Sequence, residues 1–261
     1  MINLIVCVFY DVANAQLQFS ETQFMMKVSD KKPFLSGYCY ISECQIINRL
    51  IYNNMSSYPQ RDPKKDHLIT PENSVLLIID YQPIQITSIN SMDKRMLIMN
   101  MGVLAELAKA YNVPVILSTV NVRTGANKDT IPQIREKLGG ITSYDRTSIN
   151  AWEDKEFREA VKATGRKKLL MAALWTEACL TFPTIDAIKE GFEVYPVVDC
   201  VGGTSVIAHE CGIRRVEQAG AQLTSLAQLA CELQRDWNRD STKEGFVDIM
   251  EEARWFPNLN K

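Results

Sequence analysis

Lys168-Leu-Leu-Met-Ala-Ala-Leu-Trp-Thr-Glu-Ala-Cys179-Leu-Thr-Phe-Pro183 decides how this chain is read. Its first half is a continuous apolar run, as in a strand buried on both faces of a parallel sheet. Its second half turns into a helix, and Cys179 sits at the turn. A thiol in the first turn of a helix meets unpaired backbone N–H groups and the positive end of the helix dipole. Both favour thiolate, the nucleophilic form, so this reading expects a Cys179 pKa below the free value of about 8.5. Pro183 has no N–H for the Cys179 carbonyl, so the helix should be distorted just after the cysteine or begin properly only near Pro183.

Working outward, the same texture repeats. Val75-Leu-Leu-Ile-Ile-Asp80 reads as a buried strand, residues 93–111 as an amphipathic helix and Val113 to Ser118 as a second strand. A helix over 131–138, a weak strand over 142–145 and a helix from Glu153 stopping at Gly165 follow. After the Cys179 helix come a strand over 193–199, a helix over 207–218, a short strand over 221–224 and a helix over 226–238. This β-α alternation predicts an α/β fold, a Rossmann-like three-layer sandwich with a mostly parallel sheet of about six strands. Domain limits are set at 71–240, with 1–70 as an N-terminal extension and linker and 241–261 as a C-terminal tail.

Bulk properties narrow the function. Across 261 residues the net charge is −2, with 46% hydrophobic and 23% charged residues. No long basic run exists, which argues against nucleic acid. No apolar stretch reaches the roughly 18 residues of a membrane span. Cys7, Cys39, Cys44, Cys179, Cys200, Cys211 and Cys231 are scattered and odd in number, as in a reducing compartment, so a cytoplasmic location is expected. Leu4 to Tyr10 imitates a signal-peptide core, but no Lys or Arg precedes it and Asp11 follows.

Ligands of open parallel sheets bind beyond the carboxyl ends of the strands. Asp80, Asp145 with Arg146, Cys179 and Asp199 all fall at such ends. Asp80 could take the thiol proton and return it, while Arg146, which stays protonated, could only hold the pair electrostatically. With two histidines, His67 and His209, a Cys–His couple or a multi-His metal site is not expected; His209 reads as a solvated or capping residue at a helix start. Phosphate-loop, dinucleotide and nucleophile-elbow motifs are missing, and neither a metal nor another cofactor is predicted.

Leu77-Ile-Ile-Asp-Tyr-Gln82, Arg146-Thr-Ser-Ile-Asn-Ala-Trp152 and Leu174-Trp-Thr-Glu-Ala-Cys-Leu180 together resemble the isochorismatase-like cysteine hydrolase superfamily. Segments from Val161-Lys-Ala-Thr-Gly165 to Ala230-Cys-Glu-Leu-Gln-Arg-Asp-Trp237 resemble its YcaC-like branch. The resemblance implies a triad of Asp80, Arg146 (where the family usually has Lys) and Cys179. It also implies a cis peptide at Leu174–Trp175 and an oxyanion site built from the Trp175 and Cys179 backbone N–H groups. Gln82, Asn150 and Trp152 would line the pocket of a small-molecule substrate. The implied function is hydrolysis of a small amide or related C–N bond; the alternative is a non-catalytic or redox-responsive binding protein. A homo-oligomer is expected, with Leu229, Leu233 and Trp237 as a candidate pairing stripe.

Overall fold

A computed structural model of the chain describes residues 61–255. The readings of residues 1–60, including Cys7, Cys39, Cys44 and the signal-like run, lie outside the described residues, as do residues 256–261.

Five parallel strands form the sheet: β1 (Ser74–Ile79), β2 (Val115–Val120), β3 (Ser143–Arg146), β4 (Lys168–Ala173) and β5 (Glu193–Pro196), in the order β3-β2-β1-β4-β5. Among the described residues eight α-helices accompany them: α1 (Pro83–Thr87), α2 (Lys94–Ala110), α3 (Pro132–Leu138), α4 (Lys155–Ala163), α5 (Thr181–Lys189), α6 (Val206–Gln218), α7 (Leu226–Gln234) and α8 (Asp240–Glu252). The α/β class and parallel sheet are as expected, with one strand fewer. The run over 221–224 does not form a strand; it contributes a single parallel bridge, Val197 to Thr224. Pro196, which offers no N–H to a ladder, closes β5, and the chain then makes a 3₁₀ turn over Val198–Cys200.

β1 explains why the sheet lies in the middle. All six of its residues are buried. Leu76 and Ile78 join a core with α2, α7 and α8, whereas Val75, Leu77 and Ile79 join a second core with α4 and α5. A strand with apolar side chains at every position can be satisfied only by helices on both faces.

Both sequence-set boundaries fall inside packed structure. Ile69 is fully buried, and its N–H donates to Glu232 at 2.7 Å. The segment expected as a tail forms α8, which buries Phe246, Ile249 and Met250 against the α2 side. In the stripe proposed for pairing, Leu229 and Leu233 are core residues, while Trp237 is exposed beyond α7 and stacks edge-on against Phe246. That stripe therefore mainly serves the monomer's own core.

Candidate active site

β1 and β4 are neighbours, and the strand order reverses between them, so the crevice at their carboxyl ends is the switch point where α/β sheets bind ligands. Asp80 follows β1 and Cys179 follows β4. Arg146 ends β3, two strands from β1, and its long side chain contacts Ser118 and Thr119 of β2 and reaches Asp80.

The Asp80–Arg146 contact is bidentate, with Nη1 donating to Oδ1 at 2.8 Å and Nη2 to Oδ2 at 2.7 Å. The two side chains are 0% and 1% exposed. Nη1 also donates to Ser118 Oγ at 3.0 Å and to the Thr119 carbonyl at 3.1 Å, and Nη2 to the Ile149 carbonyl at 3.1 Å. Burial, which disfavours the cation, is outweighed by the hydrogen bond and charge of Asp80, so the guanidinium is held charged. Asp80 has φ 63°, in the left-handed region, an uncommon conformation that Asp and Asn tolerate better than most residues.

Cys179 lies in a single π-turn over Thr176–Leu180 that runs into α5. The Leu180 N–H reaches back five residues to the Trp175 carbonyl at 3.1 Å. The expected distortion is present, but it precedes Pro183, which sits in the first turn of α5, where N–H groups have no intrahelical partner anyway. The Asp80 carboxylate and the Arg146 guanidinium both act on the thiol through their charge, in opposite directions, and the Trp175 backbone amide favours its anion. The Leu174–Trp175 peptide is cis.

One expectation is overturned here. Burial comes first and the Asp80 charge second in pushing the Cys179 thiol well above its ordinary range, and Arg146 only partly offsets them. The N-terminal helix setting does not win, because the thiol is only 7% exposed and its nearest anion is closer in effect than the cation, whose donors are turned on Asp80. At rest Cys179 is therefore a thiol rather than a thiolate.

The remaining sequence candidates hold the site up rather than line it. Gln82 is fully buried, donates to the Val120 carbonyl at 3.0 Å and the Lys128 carbonyl at 2.6 Å, and accepts from the Val120 N–H at 2.9 Å. Its amide is committed to bracing the loop after β2. Asn150 caps the 3₁₀ turn over Ala151–Glu153 and donates to Asp186 on α5 at 2.7 Å. Trp152 is buried against Phe157 and Phe192, its indole N–H on Glu190 at 3.0 Å. Asp145 accepts the Val122 and Arg123 N–H groups at 3.0 and 2.9 Å, fixing the turn after β2. Asp199 accepts the Leu226 N–H at 2.8 Å at the start of α7. A charged residue at a strand end is as easily a loop clamp as a reagent, and sequence does not separate the two.

Sequence reasoning also missed contributors. Ser118 and Thr119, which seat the guanidinium, gave no signal beyond strand composition. His209 on α6, read as solvated or capping, is half-buried, with Nδ1 2.8 Å from Thr176 Oγ1 in the nucleophile turn. Among the described residues no group of three or more His, Cys, Asp or Glu could hold a metal ion, and no helix is long and apolar enough to cross a membrane.

Fold and site together define a Rossmann-like α/β protein with a carboxylate–thiol couple at its switch point. The Isochorismatase domain model matches residues 74–228, and the chain belongs to the isochorismatase family, in its YcaC-like branch of hydrolases. It is 37% identical to the probable hydrolase YcaC of Escherichia coli strain K12 over 169 residues, 64% of this chain and 81% of that protein. Its fold is similar to YcaC from Pseudomonas aeruginosa, solved with hexane-2,5-diol and covalent acrylamide (TM-score 0.68, 32% identity, 72% of this chain and 92% of that one). It is likewise similar to the Escherichia coli YcaC gene product, described as an octameric hydrolase of unknown specificity (TM-score 0.63, 31% identity, 74% and 98% covered).

Proposed function

We propose that this protein is a cysteine hydrolase that cleaves a small, uncharged amide or related C–N bond through a thioester on Cys179. The observation carrying this reading is the buried Cys179 thiol, at the same sheet edge as an Asp80 carboxylate that acts on it by charge and that Arg146 grips at both oxygens. As sulfur attacks the carbonyl carbon, the thiol proton passes to Asp80, so no free thiolate need accumulate. The oxyanion forms near the Trp175 N–H, with the Cys179 N–H as its second donor. Asp80 then gives the proton to the departing nitrogen, the C–N bond breaks and the amine leaves. Water, losing a proton to the same carboxylate, attacks the thioester; the acid departs and the thiol is restored.

Arg146 cannot exchange protons at working pH, so its part is to orient Asp80 and keep it anionic. Its Nη donors are all taken by Asp80, Ser118, Thr119 and Ile149, which leaves no free fork for a substrate carboxylate and favours a neutral substrate. The covalent acrylamide of the Pseudomonas aeruginosa relative fits a nucleophilic group in that protein, since acrylamide is electrophilic at its alkene carbon. The redox-responsive alternative is weakened by the raised thiol pKa, since oxidation-sensing cysteines are accessible and low in pKa.

Incubation with a panel of small neutral amides, followed by mass spectrometry, tests the reading. Turnover is expected in wild type and Cys211→Ala and lost in Cys179→Ala; a Cys179→Ala variant that still turns over defeats it. By analogy with the octameric relative, a homo-oligomer is expected, and light scattering giving a monomer mass of 29.6 kDa would reject that part.

A further inference from the structure

From the structure we infer that His209 is a positioning residue for the nucleophile: its hydrogen bond to Thr176 sets the π-turn that aims Cys179. This rests on the reading of Cys179 as the attacking group.

Thr176 opens the π-turn, three residues before Cys179 and next to Trp175. The residue is fully buried, so each of its polar atoms needs a partner. Its N–H donates to the Gly202 carbonyl at 2.9 Å, and its carbonyl accepts from Thr181 Oγ1 at 2.6 Å. Those two bonds come from the chain just beyond β5 and from the start of α5. Only the hydroxyl is left, and His209 Nδ1 takes it at 2.8 Å.

α6 is built to deliver that ring. Gly212 lies three residues after His209, on the same face of the helix. A Cβ at Gly212 would stand 3.1 Å from the Thr176 carbonyl carbon, oxygen and Cγ2, so the bare glycine lets α6 lie directly on the turn. A Cβ at Gly203 would stand 3.0 Å from the His209 Cβ and 2.7 Å from Glu177 Oε2. Glu177, held by the Thr204 N–H at 3.0 Å, occupies the other side of the same crossing. A π-turn has one more residue per turn than its surroundings tolerate cheaply, and such turns concentrate at functional sites. Thr176 is its N-terminal anchor, and His209 is the tertiary contact to that anchor's side chain. His209 touches neither the sulfur nor Asp80 in any contact described above, so its influence on the reaction runs through the turn.

The test uses iodoacetamide on the folded, full-length protein, with alkylation at Cys179 timed by peptide mass spectrometry and exposed Cys211 as the internal control. His209→Phe, which fills the space without the bond, should slow Cys179 alkylation about three- to tenfold, the scale of one lost hydrogen bond. Cys211 should react unchanged. His209→Asn, whose amide can reach the place of Nδ1, should restore most of the rate. Thr176→Val removes the same bond from the other side, and its effect should not add to that of His209→Phe. Wild-type rates in both His209→Phe and Thr176→Val, or additive losses in the double variant, would overturn the proposal. So would a His209→Asn rate no better than that of His209→Phe. Should His209→Phe fail to fold, Thr176→Val with His209→Asn decides alone. A wild-type Cys179 that never alkylates defeats the hydrolase reading itself, a different outcome from a Cys179 that alkylates regardless of His209.

Discussion

The sheet carries a buried cation at each end, and the two are used differently. At the carboxyl end Arg146 grips Asp80, with both side chains out of water. At the amino end the Lys168 side chain, 3% exposed, meets Glu193 at 2.5 Å, but Glu193 is 48% exposed. Lys168 also donates to the His67 carbonyl and the Tyr195 hydroxyl, each at 3.0 Å. The amino-end pair ties the incoming chain to β4 and β5, and its carboxylate can fall back on water. The carboxyl-end pair has no such retreat, and the charge of its carboxylate acts on a buried thiol. A wholly desolvated pair adds little stability in itself, because desolvation offsets the attraction, yet breaking one half is costly. Its retention beside Cys179 is what a proton-handling role would require.

The largest effect should come from breaking the carboxyl-end pair. Asp80→Asn keeps a residue that tolerates φ 63°, but leaves the Arg146 charge buried without its counterion. A loss of about 3–5 kcal/mol in denaturant unfolding is expected, with turnover down roughly 10²–10⁴-fold. Full wild-type stability in Asp80→Asn would mean that the pair is hydrated in solution and the contrast between the two ends is false.

Alkali should distinguish the ends by where each begins to fail. The folded Cys179 thiol has a raised pKa, mainly from burial, so its stabilising contribution is complete below the unfolded value of about 8.5 and is lost as pH rises. Lys168 is also raised: burial pulls it down, but hydrogen bonds to Glu193 and Tyr195 win. Its contribution holds to about 10.4 and only then declines. Buried Cys200 is raised as well and adds to the first phase. Between pH 9 and 10, Cys179→Ala should therefore lessen the fall in unfolding free energy by about 1.4 kcal/mol per pH unit. Parallel pH curves for the variant and wild type would show that the thiol is not desolvated.

Much of this contrast was legible in the letters, and the part that was not has a physical cause. β1 and β4 announce themselves because unbroken apolar runs have few other places to go, and Asp80, Arg146 and Cys179 follow from strand ends and the resembled motifs. α1 escaped because five residues are too few to show a period, and α8 because its polar positions mask Phe246, Ile249 and Met250. Gln82, Asn150 and Trp152 sit in the right segments, but their hydrogen bonds point at backbone, Asp186 and Glu190. Direction is a tertiary fact. The sign of the Cys179 shift failed for a related reason: the helix terminus is visible in sequence, whereas the depth of burial and the aim of Arg146 are not.

At the amino end, Lys168→Met should cost about 1–2 kcal/mol, the scale of one or two buried hydrogen bonds left unmade at His67 and Tyr195. Glu193 recovers its hydration, so the cost stays below that of Asp80→Asn. A loss equal to that of Asp80→Asn, read from the same unfolding curves, would erase the distinction drawn from exposure.

The smallest effect should be found just upstream of this end, where Asp66 is held by two arginines. Arg61 Nε lies 3.3 Å from its Oδ2, and Arg235 Nη2 lies 3.3 Å from the same oxygen. Arg61 is 39% exposed and Arg235 20%, while Asp66 is 6% exposed. A partly exposed ion pair contributes about 0–1 kcal/mol, so Arg61→Ala should shift the unfolding midpoint barely at all. Arg235 also donates to the Ile69 carbonyl at 3.1 Å, so Arg235→Ala should cost more. If Arg61→Ala proves the costlier, exposure does not rank these two contacts; the expected order has Arg235→Ala the costlier, because its loss also frees the Ile69 carbonyl.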